Sequence, residues 1–182
     1  MRSGELCSLK WPDMNFDTNE VRIIKTIYSK GRMGTYELTP PKTTGSIRTI
    51  DIDSSVMELF VKYKSKQEKL LVAAKKAGIE VNDKGFVFCR SNGYPYYQAS
   101  VIRRMRILMK KTEIKKHATP HIFRHTHISM LAEAGVDITT IMKPVGHDEM
   151  KTTMKIYTHV TDNMKKNASD KIKNMFGDIL EF

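Results

Sequence analysis

Cysteine is scarce: Cys7 and Cys89 are the only two among 182 residues. That excludes a disulfide framework and a four-thiolate zinc site, and neither residue belongs to a CxxC pair. A reducing, cytoplasmic setting is the expectation that follows. No apolar run approaches the ~18 residues a membrane span needs. The opening MRSGELCSLKW also lacks the apolar core of a signal peptide. The chain is therefore expected to be soluble, with no membrane partner. Acidic residues are short as well, 20 Asp and Glu facing 31 Lys and Arg, a net charge of +11. With 40% hydrophobic residues the chain is no disordered polycation. Such an excess on a foldable chain suggests a polyanion, and nucleic acid is the commonest; solubility alone is the plainer alternative.

The length fits one compact domain. Within it the apolar period changes near residue 53. From Glu20 to Asp51 the β-branched segments VRIIKTIYSK, GTYELT and SIRTIDI alternate with glycine and proline, which predicts a small antiparallel sheet. From residue 53 onward the pattern is helical. Asp53, Ser54 and Ser55 can cap a first helix, with Glu58 closing a capping box on Ser55. Its apolar stripe is read as Val56, Leu59, Tyr63, Leu70 and Ala74, broken by Gln67, and it should run to about Ala77. The turn-like SNGYP precedes a segment in which Val101, Met105 and Leu108 keep helical spacing. Between Val101 and Lys116 stand seven basic residues and one acid, a composition suited to facing phosphates. Thr119 and Pro120 start a helix that ends at Gly135, and Asp137 opens a short one that Pro144 must end or kink. A third begins near Glu149, and a last amphipathic one spans Met164 to Phe182.

All six histidines lie between His117 and His159. Three readings compete: a metal site, phosphoryl-transfer chemistry, and ordinary surface or core histidines. The metal reading is the weakest. His121 and His125 are four apart on one helix, but the glutamate of HExxH is missing and no thiolate or carboxylate completes a shell. In HIFR, His121 and Arg124 share a helix face one turn apart. A guanidinium grips two phosphate oxygens and an imidazole moves protons near neutral pH. Taken alone, that two-position pattern arises often by chance.

Its surroundings are more specific. The run HIFRHTHISMLAEAGVDITTIMKPVGHDEMKTTMKIYTHV, with Gly146-His147 and Tyr157 ten residues on, resembles the C-terminal signature of the tyrosine recombinase, or phage integrase, family. MRSGELCSLKW resembles that family's RxGEL box and the Leu-x-Trp after it, and TPPKTTGSIRTIDI resembles the hairpin that carries its lysine. The resemblance covers about residues 1 to 160. It implies an α+β, mainly α fold, with the small N-terminal sheet at about 20–51 packed on a helical catalytic core at about 53–182.

The resemblance further implies that Tyr157 attacks a DNA phosphodiester to leave a 3′-phosphotyrosyl intermediate and a free 5′-hydroxyl, so that strands are cleaved and rejoined. Arg2, Arg124 and His147 would meet the negative charge on the nonbridging oxygens. Lys42 would protonate the leaving 5′-oxygen, His121 would serve the tyrosine as acid/base, and Glu5 would be a structural acid. No metal or cofactor is then required. The implied partners are double-stranded DNA and other recombinase protomers in a tetrameric synapse, inside a bacterial host. His117, His125, His127 and His159 are read as structural or DNA-proximal, and the other six tyrosines, which lack the Gly-His spacing, as packing residues. Members normally carry further helices and a core-binding domain ahead of the RxGEL box. The chain is therefore expected to be a single, N-terminally truncated catalytic domain with Arg2 at a frayed end, where positioning is poorest. An idle DNA-binding fragment and a type IB topoisomerase are the competing readings.

Overall fold

The computed structural model describes residues 1–29, 35–41, 44–115, 118–146 and 150–176, with the backbone alone at 44, 150, 152, 163, 167 and 170–176. Lys42, His117 and His147 lie outside the described residues, as do the side chains of Met175 and Phe176 and all of 177–182. The chain divides into two compact units, residues 1–122 and 123–182.

The first unit opens with α1 (Ser3–Ser8), followed by a short 3-10 turn over Trp11–Asp13 and strands β1 (Met14–Asn15), β2 (Glu20–Ile23), β3 (Thr26–Ser29), β4 (Tyr36–Thr39) and β5 (Arg48–Asp51). The expected single sheet is two antiparallel sheets, one ordered β1-β2-β5 and the other a β3-β4 pair. VRIIKTIYSK looks like one strand because its β-branched content is continuous. The chain nevertheless changes sheets at Ile24–Lys25. Ser8 Oγ donates to the Lys25 carbonyl at 2.9 Å, and the Lys25 ammonium pairs with the Asp13 carboxylate. The Lys25 carbonyl is thus committed away from a ladder, and its side chain is anchored on Asp13.

Helix α2 (Ser54–Lys76) starts where expected, but Asp53 caps it by accepting from the Ser55 backbone N–H, so the Ser55–Glu58 box is not the cap used. The buried stripe shares Gln67 and Ala74 with the expected one and is shifted by one residue at its other positions. Met57, Gln67 and Ala74 are buried, with Phe60, Lys64 and Leu71 half-buried between them. Val56 and Tyr63 are exposed, as are Leu70 and Leu59, the last at 62%. Met57 and Phe60 pack on Leu9, Val21, Ile50 and Val87, which covers the three-stranded sheet. Gln67, 6% exposed, fits this apolar face because its amide is spent: Trp11 Nε1 donates to its Oε1 at 2.8 Å, and its Nε2 donates to the Val87 carbonyl at 2.8 Å and to Cys89 Sγ at 3.2 Å. A buried amide with both ends satisfied costs little, whereas its absence strands two partners.

Helix α3 (Gln98–Met109) ends before the whole basic segment is used, so Lys110, Lys111 and Lys115 lie beyond it. Arg103, Arg104 and Arg106 on the helix and these three lysines are all exposed. Cys7 and Cys89 are free and buried, and burial pushes the Cys7 thiol up to about 11.

Helix α4 (Pro120–Glu133) begins at the expected proline, and the unit boundary falls within it. In the second unit α5 (Ile138–Val145) is capped by Asp137, whose Oδ1 accepts from the Thr140 backbone N–H at 3.0 Å. Pro144 stands one residue before its end, as expected of a helix that proline must stop. The two separate helices expected after Glu149 are one, α6 (Met150–Phe176). No glycine or proline interrupts those 27 residues, so nothing in the chain forces a break. Ile128 and Ala132 of α4, Ile141 and Val145 of α5 and Val160 of α6 form the unit's core.

Substituting Gln67→Leu keeps the volume but leaves the Trp11 N–H and the Val87 carbonyl without partners. Unfolding in urea should show a loss of about 2 kcal/mol, with the slope of the transition unchanged.

Candidate active site

Arg2 immediately precedes α1, and the structure departs here from the expectation of a loosely held terminus. The Arg2 backbone N–H donates to Glu5 Oε2 at 2.8 Å, and Arg2 Nη1 lies 3.0 Å from Glu5 Oε1 and 3.4 Å from Ser46 Oγ. Glu5 is 3% exposed. Its other partner is Arg48, whose Nη2 donates to Oε2 at 2.8 Å and whose Nη1 lies 3.2 Å from Oε1. Arg48 Nη1 also donates to the Ser46 carbonyl at 2.8 Å. One buried carboxylate therefore joins two guanidiniums. Burial alone would raise the Glu5 pKa, but hydrogen bonds from Arg48 and from the Arg2 backbone, with the Arg48 charge, outweigh it and hold the carboxyl below its ordinary 4.5.

The glycine of the same box has a steric reason. A Cβ on Gly4 would stand 2.5 Å from Thr26 Oγ1 and 2.6 Å from Gln98 Nε2, so any other residue there would displace those two side chains from the contact of α1 with β3 and α3.

His121 is exposed in the first turn of α4, and Arg124 stands three residues on in the same helix. Within the second unit Arg124 is 5% exposed, and its Nη2 donates to the Val145 carbonyl, one of the carbonyls that the end of α5 leaves without a helical partner. Gly146 follows with φ 90° and ψ 141°, a backbone conformation that favours glycine. Arg124 is thus tied to the residue just before the Gly146-His147 pair. Tyr157 of α6 is half-buried and packs against the core formed by Ile128, Ala132, Ile141, Val145 and Val160. The second unit therefore gathers Arg124, the Val145-Gly146 step and Tyr157 around one apolar cluster. His125, expected to be a structural or DNA-proximal residue, has a buried Nδ1 with no hydrogen-bond partner among the described residues. Tyr28, read as a packing tyrosine, is exposed.

Sequence reasoning missed Arg48 and Ser46. A signal was present for the first: in β5 Arg48 alternates in register with Ile50, so it shares a face with a residue that packs on the core. A charge on such a face requires a counter-charge.

Residues 1–164 match the sequence profile of the phage integrase family. The chain is 34% identical over 176 residues to the integrase of Staphylococcus phage L54a, covering 96% of this chain and 49% of that protein. It is 36% identical over 178 residues to a probable integrase of prophage ps2 of Lactococcus lactis, covering 93% and 44%. Among solved structures, the Tn1549 transposon integrase in complex with transposon right end DNA superimposes with a TM-score of 0.71 at 23% identity, over 94% of this chain and 54% of that one. XerA recombinase does so with a TM-score of 0.62 at 22% identity, over 100% and 54%. Fold and boxes together define a tyrosine recombinase catalytic fold, mainly helical with small N-terminal antiparallel sheets. The chain belongs to the phage integrase family, and it spans about half the length of the curated relatives it matches.

Because the folded pKa of Glu5 lies below 4.5, its contribution to stability is complete above that value and is lost as pH falls through the folded pKa. The stability difference between wild type and Glu5→Gln should therefore be largest at neutral pH and shrink below about pH 4, as denaturant unfolding across pH would show.

Proposed function

We propose that this chain is the catalytic portion of a site-specific DNA recombinase that cleaves and rejoins strands through a 3′-phosphotyrosyl intermediate on Tyr157. The observation that carries this reading is the preparation of two arginines, one in each unit: Arg2 on a buried carboxylate and Arg124 on the Val145 carbonyl. Fixed guanidiniums suit a reaction in which charge builds on nonbridging phosphate oxygens, since no reorganisation is needed as the charge develops. The partner of Arg124, Val145, immediately precedes the Gly146-His147 pair in the chain, and the His147 imidazole is assigned to the same phosphate oxygens.

The tyrosine hydroxyl attacks phosphorus and loses its proton, the P–O5′ bond breaks, and the 5′-oxygen takes up a proton. His121 is assigned to the first proton and Lys42 to the second. The phosphotyrosyl ester keeps the energy of the broken linkage, so a second 5′-hydroxyl reverses the step and no nucleotide is consumed. Double-stranded DNA in a bacterial host is the substrate, and further protomers in a tetrameric synapse are the partners. The exposed basic residues of α3 and the segment after it, Arg103, Arg104, Arg106, Lys110, Lys111 and Lys115, supply a surface for the phosphate backbone.

Incubation with a nicked suicide duplex should give a covalent adduct that Tyr157→Phe abolishes while DNA affinity stays nearly unchanged. A full-strength adduct in that variant would refute the assignment. Affinity should also fall with salt with a slope of about −0.9 per phosphate contact; flat binding between low and moderate salt would contradict the basic surface.

A further inference from the structure

The Glu5 network contains two residues, Arg48 and Ser46, with no part in the chemistry described above. Resting on the recombinase reading, we propose that Arg48 and Ser46 are positioning residues that act on the reacting phosphate through Arg2, by fixing the orientation of its guanidinium.

Geometry carries the argument. The Arg48 side chain is 6% exposed, Glu5 3% and Arg2 24%, so of the three charges only Arg2 opens substantially to the surface. Glu5 is braced from the far side. Arg48 holds both carboxylate oxygens, at 3.2 Å and 2.8 Å, in the fork geometry that guanidinium and carboxylate share. Both oxygens then keep fixed directions toward Arg2, Oε2 to its backbone N–H and Oε1 to its Nη1. Ser46 approaches the same Nη1 with its hydroxyl, while its carbonyl accepts from Arg48. Arg2 is thereby gripped at its backbone and at its side-chain tip. Among the described side chains the Glu5 carboxylate lies between two guanidiniums, and that of Arg2 is the more open to solvent.

There is a second reason to assign a role in positioning. Ser46 and Arg48 sit at the close of the β4–β5 connection, the stretch that contains Lys42. Tying that end of the connection to Glu5 fixes one of its anchor points to the residue that orients Arg2. A purely structural ion pair needs only to join β5 to α1. Contacts that converge on the tip of Arg2 do more than that.

The test uses Arg48→Lys, which keeps a positive charge beside Glu5 but loses the fork, together with Ser46→Ala. The first readout is 15N relaxation of the Arg2 Nε–H, assigned with Arg2→Lys as control. Arg48→Lys should leave the melting temperature near wild type yet raise the mobility of that group, with a smaller rise in Ser46→Ala. Unchanged relaxation in Arg48→Lys would overturn the inference whatever the DNA chemistry shows.

The second readout is single-turnover adduct formation on two suicide duplexes, one with a normal scissile phosphodiester and one with a methylphosphonate there. The methylphosphonate carries one negative charge fewer, so a correctly aimed guanidinium matters less to it. Arg48→Lys should lose about tenfold or more on the phosphodiester, the scale of a small misplacement, and much less on the methylphosphonate. Equal losses on both linkages would mark a general packing defect and overturn the proposal. Absence of adduct from wild type would refute the recombinase reading instead, and the relaxation measurement would then decide the positioning alone.

Discussion

The first unit is organised around one buried carboxylate. Glu5 could not remain charged at 3% exposure without cations beside it, and the two it has come from opposite directions in the sequence, Arg2 from three residues before and Arg48 from 43 residues after. Removing either partner would leave a buried charge under-compensated, which is far more damaging than the worth of the pair itself. This constraint ties the start of β5 to α1. Gly4 stands in the same helix, where a Cβ would meet the side chains of Thr26 and Gln98.

The second unit solves a comparable problem with apolar packing and one polar link. Among the described residues its core is five buried residues with four half-buried ones against them, and Arg124 is buried in the same unit. A guanidinium in such a place needs acceptors, and the C-terminus of α5 offers a carbonyl that no helical N–H can reach. One arm of the guanidinium and one helix-end carbonyl therefore satisfy each other. Pro144 is compatible with this arrangement because it falls in the last turn, where the helix is about to stop.

What the sequence made legible was local. The RxGEL box, HIFR, Gly146-His147 and Tyr157 are short patterns at fixed spacing. The starts of α2, α4 and α5 were likewise marked by Asp53, Pro120 and Asp137. What failed depended on distant partners. The phase of α2 is ambiguous in the sequence because the helix has apolar residues on two faces that share Gln67 and Ala74, and Lys64 on the buried side makes Val56, Leu59 and Tyr63 look the more continuous stripe. Gln67 is tolerated inside only through Trp11, Val87 and Cys89, none of them near it in the chain. The role of Arg48 is hidden for the same reason, its partner Glu5 lying 43 residues away in α1. The split of VRIIKTIYSK into two strands turned on Ser8 and Asp13, again outside any local window.

Helix α6 is continuous from Met150 to Phe176, and Tyr157 lies in its second turn. At 1.5 Å per residue the helix extends roughly 28 Å beyond the tyrosine. With no glycine or proline to act as a joint, the two ends form a single rod. Its fulcrum is the apolar cluster where Val160 and Tyr157 are seated. A displacement of the distal end would therefore reach the tyrosine as a tilt of the helix about that cluster.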